Sequence, residues 1–365
     1  MHVDSPIKLS ATRAWRTYLG GKLIDTLHRA EQPEDSHFPE EWIMSTVSAR
    51  NAGREHILNE GLSKVDKPNQ DCYLKDLIEK NPKDFLGKDH IEKYGKHTGV
   101  LVKVIDSAER LTVQVHPDRE KAKELFDSSF GKTECWHIIG GREIDREMPH
   151  VYLGFKPGVT KEQWIKLFEQ QDTKGMLDCL HKYEVNQGDT FLIEGGTPHA
   201  IGPGCLLVEI QEPTDYTIRI EKTSPSGFEI DDHMCHQGLG FEGMFNCFNY
   251  ASYSREETLE KWKIPTTVIK ESQSSKEQEL IGYKDTLYFR MTLVQVENEL
   301  EITGDGIYSG LYILSGQADI VAGKEKLSCK EGEQFFIPAK VANYKIQNVG
   351  DKAVRALRLF GPKVR

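Results

Sequence analysis

A chain of 365 residues exceeds what one ordinary core organises, so two or three structural units are expected. Its 57 acidic against 47 basic side chains leave a net charge of −10, which repels a phosphate backbone and excludes nucleic acid as a partner. A hydrophobic share of 38% with 15 Phe, 13 Tyr and 5 Trp supplies material for packed cores, yet no apolar run approaches ~20 residues, so no membrane span is expected. The segment Met1–Pro6 lacks the basic start and apolar stretch of a secretory signal. The seven cysteines (Cys72, Cys135, Cys179, Cys205, Cys235, Cys247, Cys329) are odd in number and form no CxxC pair. Both features point to a reduced, cytoplasmic protein.

In chain order, residues 1–95 are mixed. Tyr73–Asn81 has helical spacing, with Leu74, Leu77 and Ile78 on one face. Short β-type runs bounded by turn residues follow at Val100–Ile105 and Leu111–Val115. Thr160–Phe168 reads as a helix with a Thr N-cap, Glu162 in the first turn, and Trp164, Ile165 and Phe168 on one face. Strands resume at Thr190–Ile193 and Leu206–Ile210. Residues 226–285 are polar, and Lys270–Glu279 reads as a linker or exposed loop. Beyond it, the runs Leu287–Val296, Leu311–Leu314, Gln317–Val321 and Gln334–Ile337 make residues 286–365 a compact all-β unit. The expected division is an N-terminal segment 1–95 contributing to a first β unit, 96–225 as that unit with a helical insertion near 158–183, 226–285 as linker, and 286–365 as a second β unit.

Chemistry concentrates in three segments of the first unit. In Leu111–Asp118, a strand's period of two puts Gln114 and His116 on one face, with Thr112 below. Glu134 lies in Lys132-Thr133-Glu134-Cys135-Trp136, and His199 in Gly196-Thr197-Pro198-His199-Ala200. Two imidazoles, one carboxylate and an amide oxygen make a site for a divalent first-row metal. A single histidine on a strand is more often packed or solvated than ligating, so it is the set that points to metal. By the same rule His28, His37, His56, His90 and His97 are assigned no role, and His233-Met234-Cys235-His236 is read as loop or helix surface.

These three runs, with Leu206–Gln211 and Asp215-Tyr216-Thr217-Ile218-Arg219, resemble in order and spacing the motifs of class I mannose-6-phosphate isomerases of the short bacterial type. Trp15 with Gly20-Gly21-Lys22-Leu23, Glu41–Ser45 and Leu101–Asp106 are similar to that family's entry segments. The resemblance implies two cupin-type (jelly-roll) β-barrels, mainly β with a small helical insertion. It implies Zn2+ held by Gln114, His116, Glu134 and His199, with Arg219, Lys132 and Asp215 in the active site. The second β unit contains no His and is expected to bind no metal. Departures from the pattern are Trp15-Arg16-Thr17-Tyr18-Leu19 where the family has Trp-Gly-Gly, Glu212-Pro213-Thr214 before Asp215, and Gly131 before Lys132.

The implied reaction interconverts mannose 6-phosphate and fructose 6-phosphate through an enediolate, with a small-molecule sugar (phosphate) as substrate. Zinc with one carboxylate ligand leaves a charge of about +1, which with Lys132 and Arg219 stabilises the developing anion. Asp215, Lys132 and water on the zinc are the candidates for moving the proton. Three alternatives stand beside this reading: an isomerase of an unphosphorylated aldose such as mannose, a metal-dependent cupin oxygenase, and a non-catalytic sugar-binding protein.

Overall fold

The computed structural model describes residues 3–51, 53–54, 56–66 and 72–365, so Met1 and His2, at the head of the segment read for a signal, lie outside it. Its strands are ordered as four antiparallel sheets of seven, six, five and four strands, stacked in pairs. The mainly β expectation holds. Among the described residues each sheet stays open rather than closing into a hydrogen-bonded ring.

The first pair joins the six-stranded sheet (Arg13–Ala14, Glu40–Ile43, Leu101–Asp106, Cys205–Gln211, Glu134–Gly141, Thr190–Ile193) to the five-stranded one (Ile218–Arg219, Gln114–Val115, His199–Ile201, His150–Phe155, Leu180–Glu184). Between them lie Ile105, Trp136, Ile138, Leu153, Phe191, Ile201 and Leu207, all buried. Strand alternation decides what else faces inward. Ile105 is followed on its face by Lys103, Leu207 by Glu209, and Trp136 by Glu134. The interior therefore changes along the strands from apolar to charged, and the charged end is where the site lies. The opposite faces (Val102, Val104, Val208, Ile210) are also apolar, because they pack on the second unit. A sheet covered on both sides needs this pattern.

The second pair stacks the seven-stranded sheet, which runs from Ile7–Leu9 through Gln334–Ile337, Ser309–Ser315, Val354–Phe360, Arg290–Val296 and Ser275–Ile281 to Thr267–Glu271, on the four-stranded one (Glu299–Thr303, Asn343–Asn348, Gln317–Ala322, Glu325–Lys330). Val294, Leu311, Ile313, Ile320, Phe335 and Ile346 fill it. The chain's first strand pairs with Gln334–Ile337, so the N-terminal segment serves both units. The expected helices are present at Leu74–Lys80 and Lys161–Gln170, the latter capped by Thr160, whose hydroxyl accepts from the Gln163 N–H at 3.2 Å. Among the described residues, no helix is long and apolar enough to cross a membrane.

One expectation is corrected. Residues 270–279, read as a linker or exposed loop, belong to a β-hairpin of Thr267–Glu271 and Ser275–Ile281. Its inward positions include Ser275 and Glu277, which give no hydrophobic alternation to read. Glu277 is tolerated inside because Thr292 Oγ1 and Arg358 donate to it at 2.8 and 2.7 Å. The strand read over Leu111–Val115 shortens to Gln114–Val115.

Candidate active site

Gln114 is the hinge of the site. It faces His199 across one ladder and Arg219 across the other, so three chemistry-bearing residues stand side by side on the five-stranded sheet. His116 follows just past the strand end. Glu134 comes from the opposing sheet, between Gln211 and Ile193. The ligand atoms of His116, Glu134 and His199 all lie within 4.8 Å of one another, and all three residues are buried.

Both imidazoles are oriented by backbone. His116 Nδ1 donates to the Tyr216 carbonyl at 2.8 Å and His199 Nδ1 to the Thr197 carbonyl at 2.8 Å. Each Nε2 therefore carries its lone pair toward Glu134, at 3.2 Å from Oε2 for His116 and 3.4 Å from Oε1 for His199. Glu134 Oε1 is buried with no hydrogen-bond partner, a costly state that a bound cation relieves. The donor set fits a metal. Gln114 stands beside it: its amide nitrogen lies 3.3 Å from His199 Nε2, and half a turn of the amide puts the oxygen there.

Electrostatics agree. Burial, then the Lys132 charge, lowers His116 to about 3, so its imidazole is neutral at neutral pH, the form that binds metal. Burial also lowers His199. Burial pushes the Glu134 carboxyl up, but Lys132 and His116 outweigh it and hold it well below the usual carboxylate range. Lys132 Nζ donates to His116 Nε2 at 2.7 Å and to Glu134 Oε2 at 3.0 Å, so an incoming metal competes with this ammonium for the same lone pairs.

A cleft beside this cluster is lined by Lys132, Gln114, Asp215, Thr217 and Arg219. Arg219 donates to the Thr217 and Met234 carbonyls at 3.3 and 2.9 Å. Glu221, two residues on, is held instead by Arg110 at 2.6 Å. Asp215 does not pair with Arg219; its carboxylate faces Arg16 and the Arg50 backbone N–H.

Four further charged residues line the cleft and carry no weight in the sequence reading: Arg16, Glu40, Lys103 and Glu209. Lys103 donates to Glu209 at 2.9 Å with both buried, and Trp136 Nε1 donates to the same carboxylate at 3.2 Å. Burial and then Glu134 push Glu209 up. A signal for two of them existed. Lys103 and Glu209 are single charges inside otherwise apolar strands (Leu101–Ile105, Leu206–Ile210), and such a charge is buried only when paired. Met234, at the back of the short helix Asp232–His236, reaches the cleft through its carbonyl, which no side-chain pattern reveals.

Comparison with known proteins was consistent along the chain. Residues 55–132 match the model for the catalytic domain of type I phosphomannose isomerase, and residues 281–355 match the mannose-6-phosphate isomerase cupin domain. A probable mannose-6-phosphate isomerase, GmuF of Bacillus subtilis, is 29% identical over 269 residues, 72% of this chain and 78% of the relative. The mannose-6-phosphate isomerase of Streptococcus mutans is 25% identical over 76% of this chain and 81% of its own. In fold, the Bacillus subtilis mannose 6-phosphate isomerase superposes with a TM-score of 0.73 at 20% identity, covering 97% of this chain and 99% of the other. A zinc-bound mannose 6-phosphate isomerase does so with a TM-score of 0.73 at 17% identity, over 98% and 100%. Matches to two domain models, relatives that span about three quarters of the chain and folds that span nearly all of it make the chain similar to type I phosphomannose isomerases over most of its length.

Proposed function

We propose that this chain is a zinc-dependent aldose–ketose isomerase that interconverts mannose 6-phosphate and fructose 6-phosphate through a cis-enediolate. The observation that carries the reading is the Glu134 carboxylate, with its Oε1 partnerless, standing between two imidazoles whose lone pairs are turned toward it. Nitrogen, nitrogen and carboxylate oxygen suit zinc, and the zinc-bound isomerase among the fold neighbours supports that ion. His116, His199, Glu134 and Gln114 are the residues that hold it. When bound, zinc supplies Lewis-acid polarisation of the substrate's carbonyl and hydroxyl oxygens.

The other roles belong to the cleft. Arg219 donates to backbone carbonyls and not to a carboxylate, so its charge is left over for the enediolate oxygens or the phosphate. Lys132 adds a second cation at the reacting end. Proton transfer between adjacent carbons calls for a carboxylate of raised basicity. Glu209, pushed up by burial and Glu134, suits that task better than Asp215, which burial pushes up but Arg16, Lys103, Lys132 and Arg219 together hold at about 2. In this reading residues 96–225, with help from 1–95, carry the site, and the His-free 286–365 cover it. All seven cysteines are free, which supports a reducing compartment such as the cytoplasm.

The test is a coupled assay with mannose 6-phosphate before chelation, after it, and after zinc is restored. Loss and recovery of turnover support both metal and reaction. Stoichiometric zinc with turnover of mannose but not of its phosphate moves the substrate to unphosphorylated aldoses.

A further inference from the structure

Arg16 breaks the Trp-Gly-Gly pattern of the entry segment, and the structure buries it with 6% of its surface exposed. Its guanidinium is fixed from several sides. Nε donates to Glu40 Oε2 at 2.8 Å and Nη1 to Asn51 Oδ1 at 3.3 Å, and the fork lies 5.0 Å over the Trp42 ring. Glu40 is anchored in turn, accepting from the Tyr18 hydroxyl and Trp42 Nε1 at 2.8 Å each. The remaining donors point at one group: Nη1 and Nη2 reach the two Asp215 oxygens at 3.3 and 3.5 Å. Asp215 sits in the loop between the strands Cys205–Gln211 and Ile218–Arg219, on the cleft wall.

A planar fork immobilised by other partners fixes the direction as well as the charge of the carboxylate it faces. We propose that Arg16 is a positioning residue that clamps Asp215 as an ionised, oriented acceptor on the cleft wall, where it takes a hydrogen bond from a substrate hydroxyl and is barred from acting as the proton-transfer base. The hydroxyl contact rests on the isomerase reading above; the clamp itself does not. Asp215 is also faced by Lys103 from the six-stranded sheet, by Lys132 just before the strand Glu134–Gly141, by Arg219, and by Arg50 through its backbone, with Glu40 as the opposing charge. Of the cations, Arg16 contributes most to keeping it ionised.

The test uses the full chain as wild type, Arg16→Met, Arg16→Lys, Asp215→Asn and the double variant R16M/D215N. Carboxyl carbon NMR follows Asp215, assigned by its loss in D215N, without reference to activity. The clamp predicts no Asp215 titration above pH ~4 in the wild type and a step shifted upward by about one unit or more in R16M. In turnover per bound zinc, R16M and D215N are each expected to lose about 10- to 100-fold. The double variant should lose no more than the worse single one, R16K should recover part, and the acid limb of kcat/KM should move up in R16M alone. If R16M does not fold, R16K carries the comparison, with a smaller upward step. An Asp215 that titrates identically with and without Arg16, or losses that simply add, overturns the proposal. A wild type that turns over no sugar phosphate sinks the isomerase reading instead, and the NMR titration still decides the clamp.

Discussion

His116 and His199 each donate Nδ1–H to a backbone carbonyl, and that single choice makes both into neutral donors aimed at Glu134. Protonating either breaks the arrangement, so the pH dependence of stability follows. His116 is lowered in the folded state from 6.5 to about 3, so the unfolded chain binds more protons. Metal-free protein should therefore lose stability as pH falls below about 6.5, the loss continuing toward about 3; a melting series across that range checks it, with zinc-loaded protein displaced to lower pH. Arg219→Met removes the cleft cation that hydrogen-bonds backbone carbonyls and not a carboxylate. It should cut kcat by about 100-fold or more, as loss of one anion-stabilising donor does, with zinc content unchanged; steady-state kinetics beside metal analysis decide. At this scale Gln114, His116, Glu134, His199 and Lys132 could be singled out because each sits in a short distinctive run, and the fold brings them side by side. Arg16 was not legible. A charge in an irregular N-terminal segment has no periodicity to betray that it is buried, and its partner lies 199 positions away.

Elements here are decided by what their inward positions can tolerate. Thr160–Phe168 announced its helix through a cap and a one-face apolar set, and Trp164 and Phe168 are buried as that spacing requires. The hairpin at residues 267–281 hid, because Glu277 replaces an apolar residue inside and is stabilised only by partners on distant strands. Glu277→Ala leaves Arg358 without its carboxylate in a mostly buried position. The expected cost is about 2–3 kcal/mol, reduced from a fully buried pair because both side chains keep some solvent contact. Denaturant unfolding checks it, and Glu277→Gln, which retains an acceptor, should cost less. The same logic explains the charged end of the first unit. Lys103, Glu209, Arg16 and Glu40 sit on strands and segments whose other inward residues are apolar, and they survive burial as mutual pairs.

The molecule as a whole is held by one continuous core between its two sheet pairs. Val102, Val104, Val208 and Ile210 of the first unit meet Met291, Tyr308, Tyr312, Phe336 and Leu359 of the second. The strand Ile7–Leu9 crosses to the far sheet as well. Separating the units would expose all of this, so they should unfold in one cooperative transition. Phe336→Ala, at the centre of the contact, should lower that single transition by about 3–5 kcal/mol rather than split it; calorimetry that resolves two independent transitions would contradict a shared core. The two-unit, mainly β layout was readable from short strands between turn residues. The way the N-terminal segment divides between units was not, since three-residue strands with no partner in the sequence nearby carry no sign of where they pair.

The central claim is a zinc ion held by two imidazoles and a carboxylate, and X-ray absorption at the zinc edge on purified protein reads it directly. One zinc per chain with only nitrogen and oxygen neighbours, two of them imidazole, lost on Glu134→Ala, is the predicted result. Protein that folds and turns over mannose 6-phosphate with no bound metal, or zinc ligated by sulfur, would contradict it.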